Sequence, residues 1–151
     1  MHAILWLALA GCAKDKEKSN TAAAAPAAKP KVVVHVPDDA NSKAFAEKLQ
    51  AMDIQDFKPT SSSSEGGEIV YTHLKFRDEG VWAATGYVEA KDEKMDCSET
   101  GTWSMEPATS QTTATMTWKT STTDCVGREP GNEQRVLVTL KDDNKIDADY
   151  R

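Results

Sequence analysis

Two of the three cysteines in the sequence, Cys97 and Cys125, enclose a stretch with the pattern of a β-hairpin. Apolar and polar residues alternate along both arms, which is typical of half-buried antiparallel strands. Thiols at the two ends of such a stretch form a disulfide in an oxidising compartment. We therefore predict a Cys97–Cys125 disulfide that closes the hairpin and stabilises the fold by about 3 to 4 kcal/mol on the chain-entropy model.

The alternation along this hairpin also predicts a register. If Met105 faces Thr112, then Trp103 faces Ala114 on the neighbouring strand. Cys125 then lies just beyond the second strand, and the chain folds back there to close the open end of the hairpin.

Other residues that could carry chemistry do not form a catalytic or metal-binding pattern. The three histidines, His2, His35 and His73, stand apart from one another, whereas a nucleophile needs a histidine base and a metal site needs neighbouring ligands. Pairs of acidic residues are frequent, but they fall at predicted turns, where carboxylates are usually solvated. We predict no catalytic residue, no bound metal and no cofactor.

The N-terminal residues resemble a bacterial lipoprotein signal peptide. An apolar run over residues 3–10 is too short to span a bilayer as a helix, and it leads into the lipobox Leu9-Ala10-Gly11-Cys12. The resemblance implies that residues 1–11 are removed and that Cys12 carries a diacylglycerol, which anchors the protein to a membrane. Ala13, in place of aspartate, implies sorting to the outer membrane of the bacterial cell envelope.

The lipidated cysteine is followed by a segment without large apolar residues. Residues 12–31 are rich in alanine, lysine and proline, and we expect a disordered tether. The tether carries five lysines and two acidic residues, a net charge of +3. Because the whole chain carries −6, residues 32–151 carry −9. This acidic balance argues against a nucleic-acid partner, since nothing in it would neutralise phosphates.

Residues 32–151 predict a single, mainly β domain. The β-branched run Val32–Val36 is a candidate first strand, stopped by Pro37, and the apolar spacing after it predicts an amphipathic helix over about residues 40–53. From residue 68 onward, short alternating runs are separated by turn signals. We predict a small antiparallel meander that closes into a barrel, with one N-terminal helix and a disulfide.

Three segments of this region resemble the small lipocalin-like, calycin-type domains of bacterial envelope lipoproteins. They are Leu74–Trp82, which reads as a strand, a turn and an aromatic residue, then Thr100–Trp103, and the closing hairpin Val138–Ile146. The resemblance implies an up-and-down barrel whose relatives bind small apolar molecules or have no known ligand. It supplies no functional residues for this chain.

Three tryptophans, Trp82, Trp103 and Trp118, fall at inward positions of the predicted strands. Large aromatic side chains inside a small barrel either fill it or line a pocket for an apolar ligand. Both interpretations follow from the sequence, and the three residues are the candidate ligand pocket.

Together these features predict a non-enzymatic, lipid-anchored envelope protein that binds a small apolar ligand or another envelope component. The alternative is an inhibitor that engages a basic partner such as a lysozyme-type enzyme, because an acidic surface accelerates association with a basic one. Small disulfide-stapled β lipoproteins that inhibit lysozyme insert a Ser-Gly loop into the enzyme cleft. The nearest counterpart in this sequence is Thr85-Gly86-Tyr87. A structural or stress-related lipoprotein without a ligand is the third interpretation.

Overall fold

The computed structural model describes residues 36–59 and 67–151. The predicted signal peptide, Cys12, the tether and all but the last residue of the predicted strand Val32–Val36 lie outside these residues. No helix of the described residues is long and apolar enough to cross a membrane. One helix and six strands are formed: α1 (Ala40–Ala51), β1 (Glu68–Phe76), β2 (Val81–Ala90), β3 (Glu93–Met105), β4 (Thr113–Thr123), β5 (Glu133–Leu140) and β6 (Ile146–Tyr150).

The six strands form one antiparallel sheet in which every strand pairs with the next strand along the chain. The sheet curls into a half-barrel with the apolar side chains inside. Tight turns make this order possible; Lys91 and Asp92, between β2 and β3, both have positive φ angles, as the favoured two-residue hairpin turns require. The predicted fold class is confirmed: a mainly β meander with one helix and a disulfide.

Helix α1 begins at an N-cap formed by Asp39. The carboxylate of Asp39 accepts a hydrogen bond from the backbone N–H of Ser42 at 2.9 Å, which satisfies one of the free N–H groups of the first turn. Phe45 and Leu49 are fully buried and attach the helix to the core of the half-barrel. The hydroxyl of Ser42 is also buried and accepts a hydrogen bond from the N–H of Ala108, so α1 covers the end of the half-barrel near the β3–β4 loop.

The segment between α1 and β1 extends the sheet beyond β1. Ile54 exchanges both of its backbone hydrogen bonds with Leu74, at 3.0 and 2.9 Å, and Phe57 does the same with Tyr71, at 3.0 and 2.8 Å. These bridges are antiparallel. The segment therefore lies along the outer edge of β1 and runs in the opposite direction to that strand.

The predicted register of the β3–β4 hairpin is wrong. Met105 pairs with Met116 instead of Thr112, and Trp103 pairs with Trp118 instead of Ala114. The two strands are joined by a wide loop over residues 106–112. Pro107 has no N–H to donate to a neighbouring strand, and the N–H of Ala108 donates instead to Ser42 of α1.

Candidate functional site

The three tryptophans predicted to surround a pocket lie inside the half-barrel. Trp82, Trp103 and Trp118 are 4, 2 and 7 % exposed. The rings of Trp103 and Trp118 both pack against Phe76, with ring centroids 5.8 and 5.3 Å away, and the indole N–H of Trp103 donates to the carbonyl of Arg77 at 3.0 Å. Within the part of the chain that the structure describes, these aromatic rings fill the space around Phe76 that a ligand would need.

A cavity of about 10 Å³ remains next to these rings, lined among others by Trp82, Trp118, Tyr71 and Arg128. A volume of this size holds about one water molecule. The indole N–H groups of Trp82 and Trp118 are buried without a hydrogen-bond acceptor among the described residues. A single water molecule is therefore the occupant that suits the size of this space.

One end of the interior holds a buried charge that the sequence analysis missed. Glu99 is 1 % exposed, and its carboxylate accepts hydrogen bonds from the hydroxyls of Tyr71 and Thr123. The guanidinium of Arg128 also binds both carboxylate oxygens, with Nε at 3.1 Å and an Nη atom at 3.3 Å. All four side chains converge at the mouth of the half-barrel opposite α1, and we call them the Glu99 cluster.

Burial and hydrogen bonding shift the pKa values of two members of the Glu99 cluster, Tyr71 and Arg128. Burial, together with the negative charge of Glu99, raises the pKa of the Tyr71 phenol well above its usual range, so the phenol keeps its proton and donates a hydrogen bond to the carboxylate. Burial opposes the charge of Arg128, but the hydrogen bonds to Glu99 outweigh it and raise the pKa of the guanidinium. The cluster is a buried ion pair in which the Glu99 carboxylate also accepts hydrogen bonds from two hydroxyl groups, and additional hydrogen bonds of this kind help a core to tolerate such a pair.

The sequence carried a signal for one member of this cluster, Glu99. Glu99 stands at an inward position of β3, two residues after Cys97 and two before Gly101, where alternation predicts an uncharged side chain. Arg128 gave no such signal, because it lies in a polar loop and reaches the interior only after that loop folds back.

The predicted disulfide between Cys97 and Cys125 is confirmed, with the two Cα atoms 4.9 Å apart. It joins β3 to the loop that follows β4. Beside it, the carboxylate of Asp124 accepts a hydrogen bond from the N–H of Ser98 at 2.5 Å. Because Arg128 follows Cys125 by three residues, these two links hold the loop that carries the guanidinium of the Glu99 cluster.

The cysteines and Asp124 also form the one group of potential metal ligands among the described residues, with ligand atoms within 4.8 Å of one another. Metal ions bind the thiolate form of cysteine. Since both sulfur atoms belong to the disulfide, this group does not offer the ligands that a metal site needs.

His73 lies on the outer face of β1, where the sequence left its orientation open. Its Nδ1 atom is 3.2 Å from both carboxylate oxygens of Asp53, and Lys75 Nζ is 3.4 Å from one of them. Burial opposes ionisation of Asp53, but the hydrogen bonds from His73 and Lys75 outweigh it and lower the pKa of that carboxyl. With Arg77 and Thr85, these residues line an open groove of about 350 Å³. The arrangement is a surface cluster in which the carboxylate of Asp53 contacts the imidazole of His73 and the ammonium group of Lys75.

The segment compared with an inhibitor loop is part of a strand. Thr85, Gly86 and Tyr87 lie in the middle of β2 and pair with β1 on one side and with β3 on the other. A Cβ atom at Gly86 would collide with the backbone carbonyl of Val70, so glycine is needed for the close approach of the two strands. In this conformation the segment is not a loop that could enter an enzyme cleft.

A second open groove lies between the edge segment, residues 54–58, and β6. It has a volume of about 470 Å³ and is lined by residues 54–58 on one wall and by residues 145–148 on the other. At the end near α1, the N–H of Gln55 donates to the carbonyl of Asn144 at 3.2 Å and joins the two walls. We call this the edge groove.

Comparison of the chain with descriptions of known protein families, with curated proteins and with solved structures found no match.

Proposed function

We propose that the protein is a non-enzymatic lipoprotein of the bacterial envelope, anchored through Cys12, whose acidic domain binds a basic envelope protein. The observation that carries this proposal is the filled interior: the space beside Trp82 and Trp118 is about 10 Å³, far below the 300 Å³ or more of typical small-molecule sites. An interior of this kind favours binding on the outer surface over the alternative of an apolar ligand inside the barrel.

The charge of the domain supports a basic partner. Residues 32–151 carry a net charge of −9, and a field of one sign steers a partner of the opposite sign during association. Four exposed carboxylates lie at the end of the half-barrel near α1, in the β1–β2 and β5–β6 turns: Asp78, Glu79, Asp142 and Asp143. They form no ion pair with the described residues. We call these four residues the acidic rim.

Neutralising the acidic rim tests this proposal. The variant replaces Asp78, Asp142 and Asp143 by asparagine and Glu79 by glutamine, and the lipidated protein is used to capture proteins from detergent-solubilised envelope. We expect a basic protein to be retained at 50 mM salt, released at 300 mM salt and retained at least tenfold less by the rim variant.

A matched control carries the same change in net charge at the opposite end. It replaces Asp92 and Asp96 by asparagine and Glu93 and Glu129 by glutamine, which are also exposed. This control should retain the partner within twofold of the unmodified protein. Equal loss in both variants would point to a nonspecific charge effect, and capture that is insensitive to salt would contradict the proposal.

The lipid anchor has its own test. A Cys12→Ser variant has no sulfur to accept the diacylglycerol, so we expect it to leave the membrane fraction and to lack the mass of the lipid by mass spectrometry. Unmodified protein without lipid mass, or a Cys12→Ser variant that stays equally membrane-bound, would contradict anchoring at this cysteine.

A further inference from the structure

β6 is an edge strand, and its outer edge forms one wall of the edge groove. The N–H of Arg151 donates to the carbonyl of Arg135 on β5 at 3.0 Å. Backbone groups of alternate residues in an antiparallel strand point to opposite sides. The N–H and C=O of Ile146 and Ala148 therefore point away from β5 and into the edge groove. An edge of this kind is a template for a further strand.

The other wall is formed by the edge segment. This segment is antiparallel to β1, and the six strands alternate in direction, so the segment runs in the same direction as β6. Both walls run away from the end covered by α1. A strand placed between them would be antiparallel to both if it ran toward α1.

One stretch of the chain leads into α1 and has the composition of a strand. Val36 is four residues before Ala40, where α1 begins at that same end of the half-barrel. Four extended residues reach about 13 Å, which limits how far Val36 lies from the start of the helix. We propose that Val32–Val36 binds in the edge groove as an additional strand that pairs with β6. This inference does not depend on the partner proposed above.

The residue pattern of Val32–Val36 matches the groove. Val36 is half-buried and packs against the hydrophobic core. Because side chains alternate along a strand, Val32 and Val34 share the face of Val36, while Val33 and His35 take the outer face. Four of the five residues are valine, which favours strands, and β6 has the same length of five residues. The inward residues of β6, Ile146 and Ala148, would continue the same apolar layer.

Hydrogen exchange of the full chain in detergent micelles tests this proposal. We compare the unmodified protein with Val34→Asp, which places a charge on the core-facing side, and with Val33→Asp, its matched control on the outer side. Exchange in the peptide over residues 146–151 should be at least tenfold faster in Val34→Asp, and within twofold of the unmodified protein in Val33→Asp. A peptide from β4 should exchange at the same rate in all three proteins. Equal acceleration by both variants, or rapid exchange of β6 in the unmodified protein, would overturn the proposal.

Cross-linking gives a second measurement that does not depend on the stability of Val34→Asp. Val34→Cys combined with Ala148→Cys should form an intrachain disulfide at least tenfold faster than Val33→Cys combined with Ala148→Cys, because residues 34 and 148 would share the inner face. Equal rates for the two pairs would contradict the proposal. A cross-link that forms only between two chains would assign the groove to a strand from a second copy and would also overturn it.

Discussion

The two ends of the half-barrel are closed by different means. Near α1, closure depends on apolar side chains such as Phe45 and Leu49 and on the neutral hydroxyl of Ser42. At the opposite end, closure depends on a disulfide and on the buried ion pair between Glu99 and Arg128. A helix brings enough apolar surface to cover a core. The polar loop after β4 does not, so a covalent link and charge-assisted hydrogen bonds hold it in place.

Removing one charge from the Glu99 cluster should have the largest effect on stability. Arg128→Ala leaves the buried carboxylate of Glu99 without its cation, and we expect the free energy of unfolding to fall by about 3 to 5 kcal/mol. Urea denaturation measures this loss. The double variant Glu99→Leu with Arg128→Met removes both charges and should lose less than Arg128→Ala alone. A loss below 1 kcal/mol for Arg128→Ala would show that water, and not the ion pair, compensates this carboxylate.

Removing the disulfide should have the second-largest effect on stability. The double variant Cys97→Ser with Cys125→Ser should lower the free energy of unfolding by about 3 kcal/mol, because the loop of 28 residues is no longer closed in the unfolded chain. Hydrogen exchange should accelerate more in residues 124–132 than in α1, since the disulfide holds only the first of these regions. Equal acceleration in both regions would contradict the separation between the two ends.

The smallest of the three effects is expected at the end near α1. Ser42→Ala removes the hydroxyl that accepts from the N–H of Ala108 and leaves this donor partly buried without a partner. We expect a loss of about 1 to 3 kcal/mol by urea denaturation. Ser104→Ala is a matched control, because that serine is partly exposed on the outer face of β3. A larger loss for the control would contradict the role assigned to Ser42.

The sequence was sufficient to predict the strands, the helix and the disulfide, because each of these leaves a local pattern. Alternation in β4 and β5 and the spacing of Phe45 and Leu49 in α1 are patterns of this kind. The register of the β3–β4 hairpin was predicted wrongly, although one of its causes, Pro107, is visible in the sequence. The other cause is a hydrogen bond from Ala108 to Ser42, which is 66 residues away in the chain and leaves no local pattern.

The Glu99 cluster and the edge segment were missed for related reasons. Arg128 meets Glu99 across 29 residues, and nothing in the polar loop distinguishes a cation that turns inward from one that stays in solvent. The edge segment makes only two bridges, through Ile54 and Phe57, with Asp56 between them at a positive φ angle. A segment this short and irregular does not show the alternation by which strands are recognised.

The order of the strands has a consequence for how the chain folds as it is synthesised. Every strand pairs with the one synthesised just before it, so each hairpin can form without waiting for distant parts of the chain. The links that hold the loop after β4 reach back to β3, and they form only after β4 and the loop itself have been synthesised. Oxidation of Cys97 and Cys125 therefore secures pairings that are already in place and does not need to select them.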